Sequence, residues 1–347
     1  GVYTRAIRSP AISELFAASS PVTNTLSDPC SKDNYNRGNN PDVRAANCAA
    51  ALAAVGAPAP SAFTPTTNIR SASGSLSGNA NLDNEKAKSW SLGLVYQPPA
   101  IPGFRLAADW TDIKLIGGIE NLDINSLMAS CYDSAAYPTT DACSNFRRLT
   151  AADIAAGNGT GGAQRNPGDI SNGFTTGFVN TSTLHFAGLI LAADYGFDIS
   201  RLTRSSDGPS TMRFGTKLFY TDTYDQVLFA GQPVTQAAGT VGLPKWRVQG
   251  NVGATLGKVD LDVQLLWRDK TKFSLVQTIE DTPVNEVGAY TLVNGTIGFN
   301  VDDRFRLQLI VNNIFDRDLP YSALARRSFG SFDFLGRAYL LTASASF

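Results

Sequence analysis

Few residues of this 347-residue chain are spaced for chemistry. Gly157-Asn158-Gly159-Thr160-Gly161-Gly162 matches Gly-x-Gly-x-x-Gly. That pattern cradles a phosphate only where it follows a strand and opens a helix. Here it lies deep in a polar stretch with neither beside it, and it reads as loop. The single histidine, His185, has no Ser, Cys or carboxylate pattern near it along the chain and reads as structural. Asp260 and Asp262 look like paired acids but alternate along an extended segment, which makes them the wet face of one strand. The four cysteines form two close pairs, Cys30 with Cys48 and Cys131 with Cys143. With no Cys-x-x-Cys and one remote histidine, a zinc site is not expected; two local disulfides in an oxidising compartment are. Each bridge is expected to stiffen a surface loop that has no core of its own. No catalytic residue, metal or cofactor is expected.

The elements that hold these residues have a period of two. The final stretch, Arg337 to Phe347, places Tyr339, Leu341, Ala343, Ala345 and Phe347 on one face and Leu340, Thr342, Ser344 and Ser346 on the other. The same alternation marks nine more strands. They are Gly1–Arg8, Lys88–Tyr96, Phe104–Trp110, and segments around Leu189–Tyr195, Met212–Tyr220, Trp246–Leu256, Val259–Trp267, Tyr290–Phe299 and Arg304–Asn313. The polar stretches Pro10–Ala87 and Asp112–Ser182 read as long loops, each holding one cysteine pair. The Ala-rich run Ala45–Pro60 fits a short loop helix.

Two regularities choose the architecture. The connections alternate short and long. The short ones contain Pro98, Asp207-Gly208, Gly257 and Asp302, and the long ones contain both cysteine pairs. The polar faces carry charges in mid-strand: Arg105, Asp109, Arg213, Lys217, Arg247, Asp260, Asp262 and Arg306. A soluble sandwich would bury either these charges or the Trp-rich face. An all-β, transmembrane antiparallel up-and-down β-barrel accepts both, one face toward lipid and the other toward a wet lumen. Aromatic residues near strand ends, such as Trp90, Trp110, Trp246, Tyr96, Phe104 and Phe299, fit two interfacial girdles.

Composition agrees. The net charge of −1 implies no nucleic-acid partner. No apolar run approaches the ~20 residues of a transmembrane helix. Gly1-Val2-Tyr3 is not a signal peptide, so any export signal is expected upstream.

Several stretches resemble the C-terminal half of the β-barrel of TonB-dependent outer-membrane receptors. Arg8-Ser9-Pro10 followed by Glu14-Leu15-Phe16 is similar to that family's Arg-x-Pro and Glu-Leu-aromatic. Asn79-Ala80-Asn81-Leu82-Asp83-Asn84-Glu85 resembles its Asn-Pro-x-Leu-x-Pro-Glu, with Ala80 and Asn84 in place of the prolines. Val179-Asn180 with Gly188-Leu189 is similar to a further strand opening. Asn312-Asn313-Ile314-Phe315-Asp316-Arg317-Asp318-Leu319-Pro320-Tyr321, Gly336-Arg337 and Phe347 resemble the closing motif. The resemblance implies that residues 1–347 are one barrel domain, about ten strands of a barrel of about 22. The first and tenth strands would then be the edges of a curved open sheet, with the plug and signal peptide outside this sequence.

It further implies TonB-dependent active uptake of a scarce nutrient, in the family usually a ferric siderophore, at the outer membrane of a Gram-negative bacterium. The implied partners are the TonB energy-coupling complex, outer-membrane lipid and a small nutrient ligand. Arginine with aromatic residues suits an anionic, aromatic iron chelate, which makes Arg147, Arg148, Tyr132, Tyr137, Arg326, Arg327 and Phe332 the candidate ligand residues, with Arg165 beside them. Ordinary loop packing is the plainer role for any one of them. An oligosaccharide or cobalamin receptor, or a passive ten-stranded pore, is the alternative.

Overall fold

The computed structural model describes residues 1–66, 71–157, 165–181, 183–203, 210–229, 232–276, 285–302, 304–318, 320 and 336–346. Its strands in chain order are β1 (Val2–Arg8), β2 (Ser20–Asn24), β3 (Ala72–Ser77), β4 (Glu85–Tyr96), β5 (Phe104–Ile116), β6 (Ile119–Leu122), β7 (Phe174–Asn180), β8 (Thr183–Asp198) and β9 (Ser210–Val227). There follow β10 (Thr235–Gln236), β11 (Trp246–Leu256), β12 (Val259–Arg268), β13 (Thr271–Lys272), β14 (Glu286–Val287), β15 (Tyr290–Asn300), β16 (Phe305–Asn312) and β17 (Ala338–Ala345). The helices that matter below are α1 (Ile12–Phe16), α2 (Pro41–Ala54), α3 (Ile124–Tyr132) and α4 (Ala151–Ala155).

Ten strands form the wall, in the order β1-β4-β5-β8-β9-β11-β12-β15-β16-β17, each antiparallel to the next. They are the ten that the period-two pattern picks out. The wall does not close on itself: β1 and β17 stand at opposite ends of the strand order. That arrangement excludes a closed ten-stranded pore. No helix among the described residues is long and apolar enough to cross a membrane.

Register explains why these residues make a two-faced wall. One row of facing residues runs Phe104, Tyr195, Phe214, Val252, Val263 across five strands. The adjacent row, one residue along each strand, runs Arg105, Asp194, Gly215, Asn251, Gln264, Asn294. The apolar face lies open, with Leu94 66% and Ile297 52% exposed. Such a surface suits contact with hydrocarbon. The polar face is cross-linked: Arg306 pairs with Asp260 at 3.1 Å, and Thr255 donates to Asp260 at 3.0 Å. Asp260 is therefore a wall residue, in keeping with its reading as the wet face of a strand.

Because neighbours are antiparallel, successive connections fall at opposite rims. The short ones, such as 97–103 and 257–258, share one rim, and the long ones share the other.

The long connections depart from expectation. The described parts of 9–84 and 117–182 are not loops without a core. They pack into a cap with a four-stranded sheet, β2-β3-β7-β6, whose β3 and β7 are parallel because they come from different connections. Its interior holds Leu26, Ala72, Ile124, Met128, Ile170 and Phe174 in one cluster, all at most 2% exposed. A second cluster joins Leu52, Phe63 and Tyr132 around Cys30 and Cys48. A third gathers Leu122, Leu127, Cys131 and Ala142 against Phe229, which reaches in from the connection after β9. Cys30 is bonded to Cys48 and Cys131 to Cys143, so both bridges lie in this interior. The Ala-rich segment is helix α2, with Cys48, Ala51 and Leu52 on its buried side.

Candidate functional site: the long-loop rim and its cap

The stretches that carry the family resemblance meet at the rim. Arg8, at the end of β1, donates from Nη1 to Glu14 Oε2 at 3.0 Å and from Nε to Glu85 Oε2 at the start of β4. Glu14 Oε2 also accepts from the Ala11 backbone N–H at 2.7 Å, and Glu85 Oε1 from that of Ile119 at 2.7 Å. The Arg8 guanidinium holds the Glu14 carboxyl below the usual glutamate range. The Asn79 side chain donates to Phe178 O, and that of Asn180 to Asp83 O and Gly117 O, at 2.8–3.0 Å. These residues, some far apart in sequence, tie wall to cap.

The closing motif forms a second fastening. Asn313 is buried in a left-handed backbone conformation, φ 52°, which asparagine tolerates better than most residues. Its Oδ1 accepts from the Arg317 backbone N–H at 2.9 Å and its Nδ2 donates to Arg317 O at 3.1 Å. Asp316 Oδ1 then accepts from Arg337 N at 2.8 Å, which brings the chain back to β17.

At the centre of the cap lies Arg148, 7% exposed. It donates to both oxygens of the fully buried Asp28 at 2.8 Å, to Gly168 O at 2.6 Å and to the Tyr132 hydroxyl at 2.7 Å. Its guanidinium also sits over the Tyr132 and Phe63 rings, 5.0 and 5.7 Å from their centroids. Burial alone would lower the Arg148 pKa, but Asp28 and Tyr132 outweigh it and the value is raised. Burial pushes the Tyr132 phenol up to about 12. A second buried pair joins Arg44 to Asp133 through two bonds of 2.5 and 2.6 Å. Asp169, also buried, accepts from Thr66 N and Asn166 N at 2.9 Å.

These positions locate part of the expected ligand set. Arg148 and Tyr132 are enclosed in the cap, bonded to one another and, through Arg148, to Asp28. Arg165 donates to Ile170 O at 3.0 Å, Ser71 O at 3.2 Å and Asn172 Oδ1 at 3.1 Å. Arg147 does reach the surface, where it donates to Asp153 at 2.9 Å. The Asp153 carboxyl, at the start of α4, is lowered to about 2, first by the Thr150 backbone N–H and then by Arg147. Tyr137 is half-buried, its ring 5.6 Å from that of Tyr132. Arg326, Arg327 and Phe332 lie outside the described residues, as does most of the glycine run at 157–162.

His185 Nε2 lies 3.1 Å from Asp112 Oδ2, a contact between β8 and β5 that sequence separation hid. Among the described residues no Ser or Cys side chain is hydrogen-bonded to that pair, so it forms no triad there. Among the described residues, no group of three or more His, Cys, Asp or Glu side chains is placed to hold a metal.

An open antiparallel wall with one apolar and one polar face, short turns at one rim and a folded cap at the other, defines part of an outer-membrane-type barrel. The family described as TonB dependent receptor-like, beta-barrel, matches residues 1–314, and the chain belongs to it. That is a family of outer-membrane barrels that act as receptors and transporters. No curated protein matches the sequence. Two solved mutants of the ferric enterobactin receptor of Pseudomonas aeruginosa, one in complex with enterobactin, superpose with TM-scores of 0.51 over 99% of this chain, at 13% and 12% identity. They share its fold. The siderophore receptor PirA from Acinetobacter baumannii covers 81% of the chain at 14% identity, TM-score 0.47. This chain spans 33–38% of the length of the solved chains it matches.

Proposed function

We propose that residues 1–347 form the C-terminal part of the barrel domain of a Gram-negative outer-membrane receptor. In this reading the receptor imports a scarce small nutrient, foremost a ferric siderophore, with energy from the TonB complex. The family match over residues 1–314 carries the reading. The cap supports it. A folded cap with three buried clusters and two disulfides at the long-loop rim suits capture and active passage better than free diffusion. Contact with TonB would be made through a region N-terminal to this sequence. The preference for a ferric chelate rests on the exposed Arg147, and on Arg326, Arg327 and Phe332 in the last long connection. Oligosaccharide and cobalamin are the other cargoes to test.

The test uses cells that express the full-length receptor and matched cells lacking it. Uptake of radiolabelled ferric siderophores, cobalamin and malto-oligosaccharides is measured with and without TonB. Uptake of a ferric chelate that needs both receptor and TonB is expected. Receptor-dependent uptake that persists without TonB would overturn the active-transport reading in favour of a passive pore.

A further inference from the structure

A third connection reaches into the cap that the first two build. β9 runs on to pair with β10, Gln226 facing Thr235 and Asp225 facing Gln236, so the segment between them is the tip of a hairpin. Phe229 of that tip is buried in the cluster of Leu127 and Cys131. The Gln232 side chain donates to Ser130 O of α3, and the Asn39 side chain, in the cap, donates to Thr235 Oγ1 at 3.0 Å. Apolar burial and hydrogen bonds together join hairpin to cap.

Beside these contacts lies a cavity of about 150 Å³. Its cap side is one stripe of α3 and the residue that ends it: Ser126, Ala129, Ser130 and Asp133. They stand at i, i+3, i+4 and i+7, positions that share one helix face. Its hairpin side is Leu228, Gln232 and Pro233, and Asn39 completes the lining. Ser130 is the informative member. It is 4% exposed, and its hydroxyl has no hydrogen-bond partner among the described residues. A buried hydroxyl is costly to leave unpaired, so one that lines a cavity marks a place for a polar group.

The lining also selects the kind of group. Asp133 is its one charged side chain, and that charge is already committed. Arg44 donates to both carboxylate oxygens, and Asn39 N to one of them at 3.3 Å. An ion entering the cavity would find no free opposite charge. A carboxylate has about four acceptor sites, which leaves Asp133 one for a hydroxyl. The amides of Asn39 and Gln232 and the hydroxyls of Ser126 and Ser130 offer donors and acceptors together, as a ligand rich in hydroxyls requires. Leu228, Pro233 and Ala129 supply an apolar patch for its C–H groups. The volume lies below the roughly 300–1,000 Å³ of a pocket for a drug-sized ligand, which suits one small ring and excludes a whole ferric chelate.

We propose that this cavity binds one neutral sugar ring, held between α3 and the β9–β10 hairpin by Ser126, Ser130, Asp133, Asn39 and Gln232. The site is separate from any that takes a chelate and does not depend on what the receptor imports. Because the ring touches both sides of the junction, its binding also tightens the hairpin onto the cap.

The test uses the full-length receptor in detergent, with glucose, galactose and N-acetylglucosamine as probes and acetate and ethanolamine as charged controls, all at millimolar concentration. Saturation-transfer NMR reads binding, and hydrogen exchange reads the amides of α3 and of 232–236. At least one sugar is expected to bind and to protect those amides, and neither charged control is. Ser130→Val and Gln232→Ala should each weaken binding about fivefold or more, the worth of one hydrogen bond. Ser89→Val, in the wall, should not. Protease resistance of the cap reports folding, and if Ser130→Val loses it, Gln232→Ala decides. Binding by none of the three sugars, equal binding by the charged controls, or undiminished binding by a folded Gln232→Ala would overturn the proposal and leave a packing gap. A receptor that binds sugar in this pattern but takes up no ferric chelate would defeat the uptake reading and leave this one standing. Chelate uptake without sugar binding would do the reverse.

Discussion

The wall and the cap of this molecule are stabilised by opposite means. The wall has no interior in the usual sense; its apolar rows lie open on one side and its polar rows on the other. Backbone ladders between adjacent strands hold it together, and a slip of one residue would turn every side chain to the wrong solvent. The cap has an interior like that of a small soluble domain. It buries aliphatic clusters, two disulfides and two ion pairs. The two regions should therefore fail separately, each under perturbations that leave the other intact.

Reduction should separate them most. The bridges close rings across sequence separations of 18 and 12 residues, and the chain-entropy account gives each about 3 kcal/mol. The full-length receptor treated with a strong reductant should lose protease resistance within residues 9–84 and 117–182 while its barrel keeps heat-modifiable migration. Simultaneous loss of both would show that the cap is needed to hold the wall.

Replacing Arg148 with Met comes next. It leaves Asp28 buried without its cation, and breaking a buried pair from one side costs about 3–5 kcal/mol. The double variant Arg148→Met/Asp28→Leu should recover part of that loss, because removal of both charges leaves no uncompensated ion. Limited proteolysis of the cap reads the effect. If Arg148→Met behaves like the native protein, Arg148 does not organise the cap.

This contrast also explains what the sequence revealed. Each wall strand carries its own signal, since Val248, Val252 and Ala254 share a face with Trp246 whatever lies elsewhere in the chain. Ten strands and the alternation of turns could be read for that reason. The cap carries no such local signal. Asp28 meets Arg148 across 120 residues and Arg44 meets Asp133 across 89. Its composition is polar because much of its chain is turn and cap surface, and apart from the Ala-rich run of α2 its apolar residues show no sustained period. Arg148 and Tyr132 looked like ligand residues for that reason. A basic and an aromatic residue in a polar stretch give no hint that they are enclosed. The one clue lay in the cysteine pairs, which imply structure worth fastening.

Wall facing is tested by Val263→Arg against Gln264→Arg. Val263 is 43% exposed on the apolar face, and Gln264 accepts from Asn294 at 3.2 Å on the polar one. An arginine toward hydrocarbon near the bilayer midplane costs about 2–4 kcal/mol, and one toward a wet lumen far less. Refolding titrations of the full-length receptor into lipid vesicles should show that split, and the cap should be unaffected by either change. Equal effects would mean that the two faces do not meet different solvents.

The smallest effect expected is at the start of α3, where a local interaction can be set against the tertiary ones. Asp123 Oδ1 accepts from the Ser126 backbone N–H at 2.7 Å and so caps the helix that carries Leu127, Met128 and Cys131 into the cap interior. Loss of such an N-cap costs about 1 kcal/mol, and asparagine caps nearly as well as aspartate. Asp123→Ala should therefore raise hydrogen exchange in the first turn of α3 modestly, and Asp123→Asn hardly at all. The buried clusters and the Cys131–Cys143 bridge hold the rest of the helix, so later amides should keep their protection. If Asp123→Ala loosened the whole cap as far as Arg148→Met does, the cap would depend on local capping, and the contrast between a ladder-held wall and a core-held cap would be wrong on the cap's side.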